Sequence, residues 1–325
     1  MSTSWMVLTQ NDPLSAVRAV LLSLWEAANL ERILLPLNGN TSVPGPKVIT
    51  SAEQIQKFNP FTPLMPINAA RMIPKLVRSG RQVAAVLRPC EIRTLDEMIK
   101  LEQFKINNFL TVCVDCLGTL PADEFEWRAQ RKGSPKGLSQ EALQFARQGG
   151  IVPYRYRTAC QICKSREATK ADVNLGVLGL PVRQYLLVQT HDEELAKSLQ
   201  PEDVIPVKAD LLSHHRSTVN RLTEQGNETR ERILAGLVGT LPTNIDSLVE
   251  LLQGCDECRA CLDACPICVD DYPRQDANGV YNPDDVLEWL VSCSECGICE
   301  QVCPKNLPLT IIFSYVRYQF AELRD

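Results

Sequence analysis

The chain has 325 residues, of which 45% are hydrophobic and 22% are charged, and its formal net charge is −5. This composition is ordinary for a folded globular protein, and the negative charge does not favour nucleic-acid binding. Fourteen cysteines indicate bound metal and a reducing compartment, so we expect a cytoplasmic protein. The N-terminal sequence lacks the basic region and following apolar core of a signal peptide, so none is predicted. The apolar segments are too short or too interrupted to predict a membrane span.

The first predicted elements are a helix and a strand. Asp12 followed by Pro13 is typical of a helix start, and apolar residues at helical spacing continue to Ala28. An apolar run at 33–37 predicts a short strand. The glycines and prolines of 38–47 then predict a loop.

A β-turn-α-β unit is predicted next. A buried strand at 82–87 leads into an amphipathic helix at 91–103, and a second strand follows at 108–114. Cys90 lies in the turn after the first strand, and Cys116 follows the second. Because residues that follow parallel strands meet at the carboxyl edge of a sheet, we expect these two cysteines to lie close together.

The middle of the chain brings a second pair of cysteines. The stretch 121–150 is polar, contains a basic loop at 131–136 that we interpret as a solvated surface, and carries a predicted helix at 139–148. Cys160 and Cys163 follow as a C-x2-C pair. This pair has the spacing of metal ligands.

Beyond this pair, apolar runs predict strands at 171–180 and 185–189, and the first of them holds two glycines. The region 191–241 is predicted to be mainly helical, with a strand candidate at 204–207. Its three histidines have no ligand partners at helical spacing, which favours structural or surface roles. They are His191, His214 and His215.

The most specific pattern lies near the C-terminus, where one cysteine frame occurs twice. Both copies read C-x2-C-x2-C-x3-C-P, a spacing typical of proteins that hold two [4Fe–4S] clusters, in which the fourth cysteine of each motif ligates the other cluster. Cysteine set 1 is therefore Cys255, Cys258, Cys261 and Cys303, and cysteine set 2 is Cys293, Cys296, Cys299 and Cys265.

Zinc and disulfide bonds account for this pattern less well. Zinc commonly takes its four ligands as two separated C-x2-C pairs, and disulfide frameworks are typical of small secreted domains. Helices are predicted around the two motifs, at 245–253, 282–291 and 309–323. Helices in place of strand hairpins favour an α-helical ferredoxin.

Four of the five cysteines before residue 200 suit a third site. The β-turn-α-β unit brings two of them together, and the C-x2-C pair supplies the other two. Cysteine set 3 is Cys90, Cys116, Cys160 and Cys163. Their spacing favours a third [4Fe–4S] cluster, with zinc, buried thiols or a redox-active pair as alternatives. Cys113 and Cys268 have no predicted role.

Several runs of the chain resemble the β subunits of coenzyme F420-reducing hydrogenase and F420-dependent formate dehydrogenase. They are RPCEIRTL from Arg88, VDC from Val114, ACQIC from Ala159 and ADVNLGVLG from Ala171. The resemblance covers residues 30–190, and it implies that set 3 is a cluster site with Cys113 outside it. The C-terminal part resembles the iron–sulfur subunit of heterodisulfide reductase.

The resemblance also implies FAD, which divides a hydride pair into single electrons for the clusters. The segment after the early helix, NPFTP from Asn59, departs from the family pattern that accompanies the deazaflavin site. The glycine-containing strand from Ala171 suits either the approach of a flavin or an ordinary core.

We therefore expect an α/β N-terminal domain with a partly parallel sheet at 1–241, and a C-terminal α-helical ferredoxin domain at 242–325. The predicted function is that of an iron–sulfur electron-transfer β subunit of a formate dehydrogenase or hydrogenase complex. Primary catalysis would lie in a partner subunit, and heterodisulfide reductase-like subunits are expected as further partners. The alternatives are a flavin-dependent oxidoreductase acting on coenzyme F420 or NAD(P), and a structural adaptor between redox subunits.

Overall fold

The computed structural model describes residues 3–37, 44–132, 134–148, 155–200, 205–237, 239, 242, 244–253, 258–268 and 272–321. Their strands are β1 (Thr3–Leu8), β2 (Arg32–Leu37), β3 (Gly45–Ile49), β4 (Val83–Leu87), β5 (Phe109–Val114), β6 (Val173–Gly176) and β7 (Tyr185–Thr190).

The α-helices of the N-terminal part are α1 (Pro13–Ala27), α2 (Ile73–Val77), α3 (Pro89–Lys100), α4 (Ala122–Arg131), α5 (Pro135–Gln144), α6 (Thr158–Gln161), α7 (Glu193–Leu199) and α8 (Ala209–Gly236). Those of the C-terminal part are α9 (Ile245–Gln253), α10 (Ala260–Ala264), α11 (Pro283–Val291), α12 (Ile298–Gln301) and α13 (Leu309–Ala321). Short 3-10 helices cover Ala52–Lys57, Ala69–Met72 and Ala146–Gln148.

One mixed sheet organises the N-terminal part, with the strand order β1-β7-β6-β5-β4-β2-β3. The four central strands β2, β4, β5 and β6 are parallel, whereas both ends of the sheet are antiparallel. All five residues of β4 are buried because helices cover both of its faces. The predicted combination of an α/β domain and a helical C-terminal region is confirmed.

The two ends of the sheet differ most from the sequence-based expectations. Strand β1 was not predicted, and it pairs with β7, whose residues lie about 180 positions later. Strand β3 begins at Gly45, inside the predicted loop, while 38–43 lie outside the described residues. Helix α4 occupies part of the polar stretch 121–150, and the predicted helix at 139–148 begins earlier, at Pro135.

Helix α8 is 28 residues long and contacts three parts of the molecule along one side. Thr218 packs on Gly179, which follows β6. Gly226 lies so close to Cys163 that a Cβ atom built on the glycine would come within 2.6 Å of the Cys163 carbonyl oxygen. Arg230 donates to the Ile162 carbonyl at 3.3 Å, and its guanidinium lies 3.7 Å from the Glu295 carboxylate.

The C-terminal helices pack directly against the edge of the sheet domain. The Thr94 and Ser294 hydroxyls are 2.7 Å apart and both residues are buried. Gln103 donates to the Ile267 carbonyl at 2.8 Å. The predicted division at residue 241 falls outside the described residues and stays a prediction. Among the described helices, none combines the length and apolar character needed to cross a membrane.

Candidate metal centres

Two cysteines of set 3 lie at the carboxyl edge of the parallel strands. Cys90 lies in the first turn of α3, directly after β4, and Cys116 follows the neighbouring parallel strand β5. Pro89 occupies the first position of α3, and the Glu91 carboxylate accepts from the Arg88 amide at 2.8 Å, which fixes the start of the helix. The predicted proximity of the two cysteines follows from this parallel pairing.

The remaining members of set 3 lie beside this edge. The Cys116 thiol is close enough to the sulfurs of Cys160 and Cys163 for their charges to act on it, and Cys90 is acted on in turn by Cys116. Burial and the neighbouring Cys160 thiolate raise the pKa of Cys116 to about 11. The structure thus brings the four cysteines of set 3 together. Cys113 lies within β5 and its side chain is buried in the apolar core.

Buried arginines surround set 3. Arg157 is 7% exposed, and its guanidinium lies 2.9 Å from the Thr119 hydroxyl and 3.9 Å from the Cys160 sulfur. Burial raises the pKa of Cys160, but the charge of Arg157 and the Thr119 hydrogen bond outweigh that cost and lower it. Burial lowers the pKa of Arg93, but the negative charges of Cys163 and Cys90 outweigh it and raise the pKa. Thiolates balanced by fixed cations fit an anionic iron–sulfur group.

These arginines were not identified from the sequence. Arg93 stands three positions after Cys90, and Arg157 stands three positions before Cys160. Both are therefore one helical turn from a cysteine of set 3, and this spacing is the signal that could have found them. Arg166 adds a third cation and donates to the Cys160 carbonyl at 2.6 Å.

The cysteines of set 2 line one apolar cavity in the C-terminal part. Its wall includes all four members, Cys265, Cys293, Cys296 and Cys299, together with Cys261 of set 1 and Cys268. The polypeptide turns sharply here, since Glu295 and Gly297 both have left-handed backbones with φ values of 56° and 69°. The cavity and its sulfur lining fit the cluster predicted for set 2.

Burial has the largest effect on the pKa of Cys293, Cys296 and Cys299, and fixed charges also reach this set: Glu295 acts on Cys293, and Arg157 acts on Cys296. Burial raises the pKa of Cys293 to about 12, and burial together with the other set 2 sulfurs raises the pKa of Cys299. The Cys293 sulfur accepts from the Glu295 amide at 3.4 Å. Thiols of this kind lose their protons on binding metal, so cluster binding and folding are coupled here.

Set 1 is described only in part, because Cys255 lies outside the described residues. Cys258 is exposed, Cys261 belongs to α10, and Cys303 follows α12. Cys261 and Cys303 pack against the same apolar cluster of the C-terminal part. The structure places these two on a common core, and the full ligand set stays a prediction.

Sets 3 and 2 adjoin each other. Cys90 and Cys296 pack against the same buried group, formed by Met65 and Ile298. Gly297 makes this contact possible, because a Cβ atom on it would lie 2.5 Å from the Ala159 Cβ atom. Sets 2 and 1 adjoin through Cys299 and Cys261, whose charges act on each other across the shared cavity.

In the part of the chain that the structure describes, no group of three or more His, Cys, Asp or Glu side chains could hold a single metal ion. A single zinc needs every sulfur about 2.3 Å from one point. A [4Fe–4S] cubane instead carries each thiolate on a different iron, so its ligands stand further apart.

The glycine-containing strand predicted at 171–180 belongs to the core. Its shorter observed form, β6, is buried throughout, and a Cβ atom on Gly176 would lie 3.1 Å from the Leu187 Cβ atom. Gly179 is closely covered by α8. Protein atoms occupy the space over both glycines, so they offer no approach for a flavin, and the FAD prediction gains no support from this strand.

His215 has the structural role expected for the histidines. It is buried, its Nδ1 atom lies 2.7 Å from the Leu178 carbonyl, and its Nε2 atom lies 3.2 Å from the Glu167 carboxylate. Burial lowers the pKa of His215, but the Glu167 hydrogen bond and the buried carboxylate of Asp115 raise it to about 9. Asp115 in turn accepts from the amides of Ala168, Val177 and Leu178.

Comparison with known proteins identifies the C-terminal part first. Residues 254–307 match the family described as 4Fe-4S dicluster domain, so a dicluster domain is present. The chain is also similar to the β subunit of F420-dependent formate dehydrogenase 1 of Methanococcus maripaludis. The two are 22% identical over 250 residues, which cover 69% of this chain and 63% of the relative. This relative confirms the expected family resemblance.

A solved structure also resembles the chain. It is a xenon derivative of the F420-reducing [NiFe] hydrogenase complex of Methanosarcina barkeri, with 15% sequence identity and a TM-score of 0.48. The match covers 71% of this chain and 91% of the solved chain. The chain spans 63% of the length of its curated relative.

Proposed function

We propose that this chain is an iron–sulfur electron-transfer β subunit of a formate dehydrogenase or hydrogenase complex. The observation that supports the proposal is that cysteines of neighbouring sets share contacts. Set 3 adjoins set 2 where Cys90 and Cys296 share a buried contact, and set 2 adjoins set 1 across the cavity that Cys261 and Cys299 line. A continuous row of ligand sets is what single-electron transport through a protein requires.

Each [4Fe–4S] cluster, when bound, would supply a one-electron carrier. The protein's own residues hold the ligands at fixed positions and exclude water. Arg93 and Arg157 compensate the negative charge of the set 3 thiolates, which otherwise repel one another in a buried space. Thr94 and Ser294 fix the position of the C-terminal helices against α3, next to Cys90.

The row has different surroundings at its two ends. Set 3 lies at the carboxyl edge of the sheet, beside a narrow cavity lined by Arg88, Asp115 and Gly118 among others. Set 1 includes the exposed Cys258. We place the entry or exit for a second partner at set 1, because an exposed ligand brings a cluster close to solvent.

The partners follow from the relative and from the chemistry. Formate gives carbon dioxide, one proton and two electrons, so a subunit that oxidises it delivers electrons in pairs while each cluster accepts one at a time. The catalytic formate dehydrogenase or hydrogenase subunit is therefore the proposed first partner, and a heterodisulfide reductase-like subunit is the proposed acceptor. The alternative function is that of a flavin-dependent oxidoreductase acting on coenzyme F420 or NAD(P), with its ligand at the carboxyl edge of the parallel strands.

The number of clusters tests the proposal directly. Anaerobically reconstituted protein is expected to contain about twelve iron atoms and an equal amount of acid-labile sulfide per chain. Cys160→Ser and Cys299→Ser should each lose about four of these iron atoms, since each variant removes one ligand of a different cubane. Cys113→Ser is the matched control and should keep the full iron content.

Two results would contradict the proposal. About eight iron atoms in the wild type, unchanged by Cys160→Ser, would remove set 3 from the row. Full iron content with clusters that formate cannot reduce in the presence of a co-purified dehydrogenase would instead favour a structural adaptor.

A further inference from the structure

Arg166 is a buried cation that joins the two halves of set 3. It follows Cys163 by three positions, and it is 5% exposed. Its Nη2 atom donates to the Cys160 carbonyl at 2.6 Å, and its own carbonyl accepts from the Cys116 amide at 2.8 Å. Side chain and main chain of Arg166 therefore bind the C-x2-C pair and the cysteine after β5 at the same time.

The rest of the Arg166 guanidinium has no acceptor in the protein. In the described part of the chain, its Nε and Nη1 atoms are buried and have no hydrogen-bond partner. Arg157 differs in this respect, because its three nitrogens donate to Thr119, Gln301 and Met65. A buried N–H group without an acceptor destabilises a protein, so the Nε and Nη1 groups call for an acceptor that the polypeptide does not supply.

Packing holds the guanidinium beside set 3. Its Cζ atom lies 5.8 Å from the centroid of the buried Tyr156 ring. The same ring covers Gly118, where a Cβ atom would lie 2.5 Å from the Tyr156 Cε2 atom. Gly118 stands two positions after Cys116. The unpaired donors of Arg166 are thus confined between both halves of one ligand set.

We infer that the Nε and Nη1 groups of Arg166 donate to sulfur atoms of the cluster that set 3 would hold, and that they make its reduction potential more positive. The inference rests on the proposed function, since it concerns the third cluster. A [4Fe–4S] cluster presents sulfide and thiolate acceptors and no donors, whereas an arginine presents only donors. The cluster is therefore the acceptor that the two unpaired groups require.

The direction of the effect follows from charge. Reduction adds an electron to the cluster, so the negative charge on its sulfur atoms rises. A cationic donor stabilises the reduced state more than the oxidised state, and hydrogen bonds to the sulfurs are among the factors that set cluster potentials. Burial strengthens this interaction, because little water is present to screen it.

The first test is a redox titration of full-length, anaerobically reconstituted protein, followed by electron paramagnetic resonance. The signal of set 3 is the one that Cys160→Ser removes. Arg166→Met should shift the potential of this signal to more negative values. Arg166→Lys keeps the positive charge but lacks the planar set of donors, so its potential should lie between those of Arg166→Met and the wild type.

Lys164→Met is the matched control. It removes the same charge next to Cys163, but from an exposed side chain. Because water and salt screen an exposed charge, the set 3 potential should move much less than in Arg166→Met. Equal shifts in Arg166→Met and Lys164→Met, or an unchanged potential in Arg166→Met, would overturn the inference.

A second test detects the hydrogen bonds themselves. Arginine is labelled with the heavy nitrogen isotope, the protein is reduced, and pulsed electron paramagnetic resonance measures the coupling of labelled nitrogen to the cluster spin. The wild type should show a strong coupling that labelled Arg166→Lys lacks. A wild type without any such coupling, or identical couplings in both proteins, contradicts the inference even if Arg166→Met does not fold.

The two proposals fail in different ways. If the wild type contains about eight iron atoms and no signal that Cys160→Ser removes, set 3 holds no cluster, and the proposed row and the inference both fail. If the wild type contains about twelve iron atoms and Arg166→Met leaves the set 3 potential unchanged, only the role of Arg166 is wrong.

Discussion

Set 3 and set 2 hold four cysteines each in surroundings of different polarity, although Arg157 acts on Cys296 of set 2 as well as on Cys160 of set 3. Set 3 is flanked by buried arginines, and its Cys160 has a lowered pKa because Arg157 and Thr119 together outweigh burial. Set 2 lines an apolar cavity, where burial raises the pKa of Cys293 and Cys299. Cysteine ligands of the same kind thus lie in two different environments. Net charge and hydrogen bonding are among the factors that determine the reduction potential of a cluster. We expect the clusters proposed for the two sets to differ in potential for this reason.

The largest effect should come from removing the contact that joins the two regions. Gly297→Val places a side chain where the Ala159 Cβ atom already lies, and it forces a branched residue into a left-handed backbone. We expect a loss of at least about 3 kcal/mol of stability and poor cluster incorporation. Thermal denaturation and iron analysis measure both.

Gly236→Ala provides the comparison for that variant, because a Cβ atom at Gly236 meets no heavy atom within 4 Å. It should retain its iron and its midpoint of thermal unfolding. If the two glycine variants behave alike, close packing between the regions is not what Gly297 provides.

A second prediction concerns the cationic surroundings of set 3. Burial opposes the charge of Arg157, but the thiolates of Cys160 and Cys90 outweigh it and raise the pKa of the guanidinium. Arg157→Met should shift the potential of the set 3 cluster to more negative values and cost about 3 kcal/mol, because it leaves buried negative charge uncompensated. Redox titration and chemical denaturation test this.

Arg157→Lys keeps the charge without the planar guanidinium, so its potential should lie between those of Arg157→Met and the wild type. If the reduction potential assigned to set 3 is unchanged in both variants, the difference in potential between set 3 and set 2 does not arise from Arg157.

The third prediction is a pH dependence that originates outside both cysteine sets. The pKa of His215 is about 9 in the folded protein and about 6.5 in an unfolded chain. The stabilisation that protonated His215 adds to the free energy of unfolding is therefore fully present below pH 6.5 and is lost as the pH rises through 9. Its total is about 3 kcal/mol. Chemical denaturation of the wild type and of His215→Gln between pH 6 and pH 10 measures this loss. If the free energies of unfolding of the two proteins change with pH in parallel, His215 is not the source of the pH dependence.

The smallest effect is expected at the hydroxyl pair between α3 and the C-terminal helices. Thr94→Val keeps the shape of the side chain but removes hydrogen bonds to Asn68, Ser294 and the Cys90 carbonyl. We expect a loss of about 1–3 kcal/mol with clusters retained. Ser294→Ala should cost less, because Ser294 has fewer of these partners. The reverse order of stabilities would mean that Thr94 is not the centre of this network.

The sequence predicts best those features that depend on short spacing. Asp12 and Pro13 predicted the start of α1, and the Asp12 carboxylate caps that helix at 3.0 Å. The repeated cysteine motif predicted the dicluster domain because cubane ligands must stand a fixed number of residues apart. The parallel β-turn-α-β unit likewise predicted that Cys90 and Cys116 meet.

The features that were missed depend on residues far apart in the chain. Trp5 and Met6 are buried in β1, but this strand is defined only by its pairing with β7. Nothing local shows that Trp289 reaches Cys268 across 21 positions, or that Gln301 in the C-terminal part accepts from Arg157. Such contacts follow from how the two regions pack, and one sequence does not contain that arrangement as a pattern.

Helix α8 has a consequence for kinetics. Its contacts with the sheet loop at Gly179, with Cys163 and with Glu295 extend from Thr218 to Arg230, a distance of about 18 Å along a continuous helix. A single rigid element therefore fixes the separation between the sheet domain, set 3 and the dicluster domain. Electron tunnelling inside the chain should then need no domain motion, and its rate should be the same in buffer and in viscous glycerol solution.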